Sequence, residues 1–347
     1  VEVAIRPEEQ NQFDSAESID PAAYQAYLKG RFHAERFTPQ DMQLAAQYYQ
    51  QAVALDPDNS LAWTGLATLC AFQAQAGYIR PQVARERCLP SIVKALDLDD
   101  SLPDAQVAYA VHMTWLLYNW KEGEAAFKRA IELNPSSTDA RMLYSHLLTL
   151  TGRADEGSEQ IQRALELDPL NPLVQSLYGV QLCMIGELRK CVQVTEDVLA
   201  STPGFGFGHS TLMMAYNALG QKDDAIAAAI NSLRIGLNFP EGAQATQNAY
   251  VDGDYSGAMR AAAYALEERS KTSHVGPLAI GHLYAYAGDA DKAIDWYERG
   301  FQITGPGVPY LGVFVVSPEI RSNPRFIKLL RDIKLDYWAD KYSQSSI

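Results

Sequence analysis

The side chains here that could hold a metal or act as nucleophiles are six histidines and four cysteines, and their spacing argues against both roles. His33, His112, His146, His209, His274 and His282 are scattered, with no two at metal-ligand spacing. Cys70, Cys88, Cys183 and Cys191 make no CxxC pair and have no His at ligand distance, so no metal is expected. Cys183 and Cys191 fall on the two arms of one helical hairpin, where they could approach, but buried free thiols are the preferred reading. Ser91-Ile92-Val93-Lys94 matches SxxK without its supporting motifs, and chance explains it. Gly204-Phe205-Gly206-Phe207-Gly208-His209 lacks the third glycine of a dinucleotide loop and the strand before it, so it reads as a hairpin connection. Asp252-Gly253-Asp254 reads as a turn, because the other ligands of a calcium loop are missing. With no GxSxG, Walker loop or HExxH either, no catalytic residue and no cofactor are expected. What remains is binding.

The elements that would position a binding surface are set by a repeat. Ala130-Ile131-Glu132-Leu133-Asn134-Pro135 recurs thirty-four residues later as Ala164-Leu165-Glu166-Leu167-Asp168-Pro169. Each phrase closes an amphipathic segment and is followed by a second apolar segment and a glycine, Gly152 and then Gly186. The stops at Pro57, Asp100, Pro135, Pro169 and Pro203 lie 43, 35, 34 and 34 residues apart, the long first interval being a loop at Gly77–Pro81. A fixed period of this length means stacked helix pairs, since one pair cannot bury its own apolar face. Carried outward, the pattern predicts about eight hairpins over 21–304. Small residues are expected where paired helices touch, and Tyr, Phe or Leu between hairpins. Gly305-Pro306-Gly307 and Pro309 then break the helix, and the apolar run Tyr310–Val316 is expected to cover the last repeat. Two short helices starting at Pro318 and Pro324 complete a capping segment over 305–335, ahead of a partly ordered tail, 336–347, in which Tyr337 and Trp338 dock.

Composition sets outer limits. The chain has 347 residues, 47% hydrophobic and 20% charged, which fits a folded protein. Its formal charge of −13 disfavours nucleic acid and anionic membrane surfaces as partners, because phosphate neutralisation needs a basic face. No apolar run approaches the roughly 20 residues that span a bilayer, so no membrane insertion is expected. Residues 1–20, opening at Val1 without an initiator Met, read as a linker leaving a missing upstream domain, so the chain is taken as a fragment. Nothing in it assigns the cytoplasmic or the periplasmic side.

The repeat resembles the tetratricopeptide repeat, which implies an all-α solenoid, a right-handed superhelix with a C-terminal helical cap. In such a superhelix the first helix of each pair lines the concave side. The register then implies a partner-binding groove of Arg31, Met142, His146, Ser176, Val180, Ser210, Met214, Asn217, Leu278, His282 and Tyr286. It is mixed and rather apolar, with adaptable Met side chains suited to a peptide or a helix. It lacks the Lys and Asn pattern of repeats that clamp a C-terminal carboxylate.

Two further stretches are more specific. Tyr27-Leu28-Lys29-Gly30-Arg31-Phe32, with Thr38-Pro39 and Ala52-Val53-Ala54-Leu55-Asp56-Pro57, is similar to the entry of the repeat region in large bacterial signalling proteins. Pro318-Glu319-Ile320-Arg321-Ser322-Asn323-Pro324-Arg325-Phe326 is similar to its close. That resemblance implies a regulatory module downstream of a TolB-like segment and of a winged-helix, adenylate cyclase or kinase domain. The expected function is a non-enzymatic protein-interaction scaffold for a peptide, a protein or its own upstream domains. The alternatives are self-association through Tyr310–Val316 or the opening residues, and small-molecule sensing in the groove.

Overall fold

The computed structural model describes residues 20–344 except 35–38, 76, 78, 252, 315 and 316. Among them there are nineteen α-helices and no strands. The first sixteen form eight antiparallel hairpins. The first four are α1 (Pro21–Ala34) with α2 (Pro39–Leu55), α3 (Ser60–Gln75) with α4 (Pro81–Leu98), α5 (Pro103–Val111) with α6 (Trp120–Leu133), and α7 (Thr138–Leu150) with α8 (Ala154–Leu167). The last four are α9 (Pro172–Met184) with α10 (Leu188–Ser201), α11 (Gly206–Leu219) with α12 (Lys222–Asn231), α13 (Pro240–Ala249) with α14 (Tyr255–Ser270), and α15 (Pro277–Ala287) with α16 (Ala290–Gln302). A 3-10 turn (Val308–Gly312) and helices α17 (Pro318–Arg321), α18 (Pro324–Asp332) and α19 (Asp336–Gln344) follow.

Local chemistry accounts for the punctuation. Side chains of Ser137, Asn171 and Asp254 each accept a backbone N–H of the helix they precede, satisfying donors that the first turn leaves open. Asp254 therefore serves as a helix cap, the turn role read for it. Gly206 opens α11 against Gly236, whose Cα stands 2.3 Å from where a Cβ on Gly206 would lie. The glycine-rich stretch is thus a hairpin connection that needs its backbones in contact. Alanines 164, 225, 258 and 293, one on the second helix of each of four hairpins, have no exposed surface. Between hairpins, Tyr144 donates its hydroxyl to Glu124 (2.9 Å), Tyr216 to Glu196 (2.6 Å) and Tyr284 to Glu267 (2.5 Å), tying one pair to the next.

Three features depart from the repeat. The first helix of hairpin 3 ends in a π-helical turn, His112–Leu116, and the second helix of hairpin 6 in another, Ser232–Gly236. Each is followed by a non-glycine residue at positive φ, Tyr118 (52°) and Asn238 (46°). Secondly, Cys70 and Cys88 form a disulfide between α3 and α4, with Cα atoms 5.7 Å apart. Free buried thiols describe only Cys183 and Cys191. Contact with the Cys191 sulfur, and then burial, push the Cys183 thiol well above its usual range. Thirdly, the segment expected as a tail is helical as far as Gln344 and buries Trp338, Ala339 and Tyr342. The Trp338 indole donates to the Leu150 carbonyl (2.8 Å), because a buried N–H needs an acceptor.

Candidate functional site

The inner face of the array is partly filled by the chain itself. After α16 the backbone turns at Thr304 (φ 53°) and runs back across hairpins laid down much earlier. Arg85 donates to the Ile303 carbonyl (3.4 Å) and Tyr118 to that of Gly305 (2.7 Å). Further on, Trp120 donates to Ile333 (2.9 Å). Val308, Tyr310, Leu311 and Val313 are buried in one apolar core with Met142, Leu147 and Val180. The apolar run was expected to cover the last repeat; its residue Tyr310 also reaches Trp115 of hairpin 3 and His146 of hairpin 4. The reason is sterically simple, since the superhelical turn brings the inner helices of distant hairpins within reach of one short segment.

This placement decides what each groove residue touches. Met142 and Val180 are fully enclosed. Ser176 is buried and donates to the Pro172 carbonyl of its own helix (2.7 Å). His146, also buried, has Nε2 3.0 Å from the Leu177 carbonyl and Nδ1 3.1 Å from the Tyr310 hydroxyl. A carbonyl can only accept, so Nε2 carries the proton and Tyr310 donates to Nδ1. His282 lies 3.0 Å through Nδ1 from the Tyr297 hydroxyl, stacks on Tyr286 (6.2 Å, 16°) and meets Phe314 edge-on (6.1 Å, 78°). Burial holds His282 down to about 4, and burial, opposed by the Leu177 carbonyl, holds His146 there too. These five residues thus form interior contacts, and no partner reaches Met142 or Val180 in this arrangement.

The remaining six lie nearer solvent but are not gathered into one site. Ser210 shares a hydrogen bond with Ser232 (2.8 Å), and Asn217 accepts from Tyr255 (2.7 Å). Met214 packs on the Cys183 and Cys191 cluster, Leu278 against Gly300 and Gly307, and Tyr286 is half-buried. Arg31 is exposed at the N-terminal mouth. There, with Tyr27, Thr64, Asp104 and Asp139, it lines an open depression of about 100 Å³. Burial by the surrounding walls raises Asp104, and the Arg31 charge opposes that shift. Tyr27, Asp104 and Asp139 were missed in the sequence, although each occupies a first helix of its hairpin, as Arg31 does. A larger cavity of about 550 Å³, lined by Arg189, Glu196, Tyr216 and Asp224, lies between hairpins 5 and 6 and contains none of the expected residues.

Comparison with known proteins agrees with this architecture. A family model described as tetratricopeptide repeat matches residues 117–179. The transcriptional regulator HilA of Salmonella typhimurium (strain LT2) and that of Salmonella typhi are each 27% identical over 149 residues, 42% of this chain. The match spans about a quarter (26%) of those relatives' own length. Among solved structures, the APC/C hetero-tetramer Cut9–Hcn1 superposes with a TM-score of 0.53 at 14% identity, over 98% of this chain and 59% of that one. A monomeric mutant of IFIT1 with Gppp-AAAA does so at 0.53 and 16%, over 89% and 68%. At such identities the likeness is one of fold.

Proposed function

We propose, from the premise that this chain is a tetratricopeptide-repeat solenoid, that it is the interaction module of a larger bacterial regulator. Tetratricopeptide repeats are protein-interaction scaffolds and typically non-catalytic, which supports a binding role. The finer reading is that a peptide, a protein or the upstream domains of the same polypeptide bind along the inner face where its own C-terminal segment leaves that face open. The observation carrying it is the division of that face: enclosed at Met142, His146 and Val180, open at Arg31 and Asp104. The N-terminal mouth is therefore the preferred docking surface, and its mixed charge favours a partner with polar or ionised side chains over a purely apolar helix. The partial match to HilA, a transcriptional regulator of which it covers 26%, supports the place in a larger protein.

The alternatives have less support. Tyr310, Leu311 and Val313, proposed for self-association, are buried within one chain; Val315, Val316 and the opening residues 1–19 lie outside the described residues. A depression of about 100 Å³ is small beside the few hundred Å³ usual for small-molecule pockets. The net charge of −13 continues to argue against nucleic acid, and among the described residues no helix is long and apolar enough to cross a membrane. A test is selection from a displayed random-peptide library on the wild type and on a charge-swapped Arg31→Glu, Asp104→Lys variant. Peptides enriched on the wild type should lose at least about tenfold in affinity on the variant, roughly 1.4 kcal/mol. Equal affinity would remove the mouth from consideration.

A further inference from the structure

We propose that the segment from Ile303 to Phe314 is a proton-released strap: uptake of protons by His146 and His282 frees it and bares the central inner face. The proposal rests on the reading of that face as a partner surface, and it assigns the face a regulation.

Arg85, Tyr118 and Tyr342 donate to the strap's carbonyls at Ile303, Gly305 and Gly312, and its side chains are gripped at one aromatic pair. Tyr310 and Phe314 stack with ring centroids 5.4 Å apart and planes 13° from parallel. One imidazole meets each: His146, from α7 of hairpin 4, stands edge-on to Tyr310 at 6.0 Å, and His282, from α15 of hairpin 8, edge-on to Phe314 at 6.1 Å. Two histidines far apart in sequence thus close on the same five residues.

Protonation weakens both grips, at His146 by removing an acceptor and at both histidines by burying a charge. His146 already donates through Nε2 to Leu177, so a proton on Nδ1 converts the acceptor of the Tyr310 hydroxyl into a second donor. It also places a charge where nothing answers it. The groups around His146 are the Tyr310 hydroxyl on the strap, the Leu177 carbonyl on α9 and the Trp115 indole, from the π-helical turn, near the same hydroxyl. Around His282 they are the Tyr297 hydroxyl on α16, the Tyr286 ring on its own helix and the Phe314 ring on the strap. No carboxylate contributes to the shift of either imidazole.

The sign follows from linkage. A seated histidine protonates at about 4 and a released one near 6.5, so the released state binds more protons between those values. Acidification through that window shifts the equilibrium toward release by up to about 300-fold per histidine. One feature keeps the seated state poised: the strap leaves α16 through Thr304, a β-branched residue held at φ 53°.

The test is hydrogen–deuterium exchange on the whole chain at about pH 7 and about pH 5, corrected for intrinsic rates. Amides of Tyr310, Val313 and Phe314, bonded only within the strap's own turns, should lose protection more than about tenfold while α7 and α15 keep theirs. A His146→Gln, His282→Gln double variant should lose that pH response. The idea is overturned if the strap, α7 and α15 lose protection together, if the strap does not change, or if the response survives in the variant. Should the variant fail to fold, nuclear magnetic resonance titration of the two imidazoles in the wild type decides: both must titrate with strap opening. No partner enters these measurements, so their failure and that of the peptide selection are separate results.

Discussion

At the scale of single residues, close packing leaves little room for substitution. Small residues were expected where paired helices touch, and Ala164 and Ala225, each on the second helix of its hairpin, are fully buried. Replacing either with Leu should overpack the hairpin and cost about 1–3 kcal/mol; a thermal melt that does not move would refute the register. The same scale sets a pH dependence for the whole fold. Burial holds His112, His146 and His282 at about 4, with Arg85 adding to the effect at His112. A histidine depressed in the folded state contributes stability that is complete above its unfolded value of 6.5 and is lost as the pH falls toward 4. Urea midpoints should therefore drop steadily between about pH 6.5 and 4. The histidines were visible in the sequence, but their neutral state was not, because it depends on what covers them.

At the scale of elements, the hairpins were legible and their irregularities were not. Asn134-Pro135 and Asp168-Pro169 mark helix ends by local chemistry, which needs no distant neighbour. The π-helical turns at His112–Leu116 and Ser232–Gly236 have no such local mark. The disulfide did leave a signal: Cys70 and Cys88 lie equally far from Ile79, in the loop between α3 and α4, so antiparallel packing brings them level. Cys183 and Cys191 flank their own turn in the same way yet are free, so symmetry shows proximity and not oxidation. Replacing Cys70 and Cys88 with Ser should cost about 3 kcal/mol, the loop-closure value for a bridge of this span. Because a solenoid is stabilised by nearest neighbours, the loss should be confined to hairpin 2 and its contacts. Exchange measurements over 60–98 would show this, and loss spread evenly over the chain would contradict it.

At the scale of the whole molecule, the repeats do not form one uniform rod. Hairpins 1 and 2 share a small core of Ala26, Tyr27, Met42, Ala45, Tyr49, Ala52, Ala62 and Leu69, whereas one continuous core runs from Val107 to Tyr342. Ending the chain after Ile303 should therefore expose the centre of the inner face and weaken hairpins 3 to 8, leaving hairpins 1 and 2 protected. Dye binding and exchange would report it, and a truncated chain as stable as the full one would rule out the shared core. The division also separates what each level of description decides. Sequence alone determined an all-α array of about eight hairpins, because helix periodicity, caps and small-residue contacts act within about forty residues. Only tertiary structure decided which of Arg31, Met142, His146 and His282 meets solvent. The superhelical turn brings residues 303–342 onto helices formed more than 150 residues earlier, and no local pattern in the chain records that encounter.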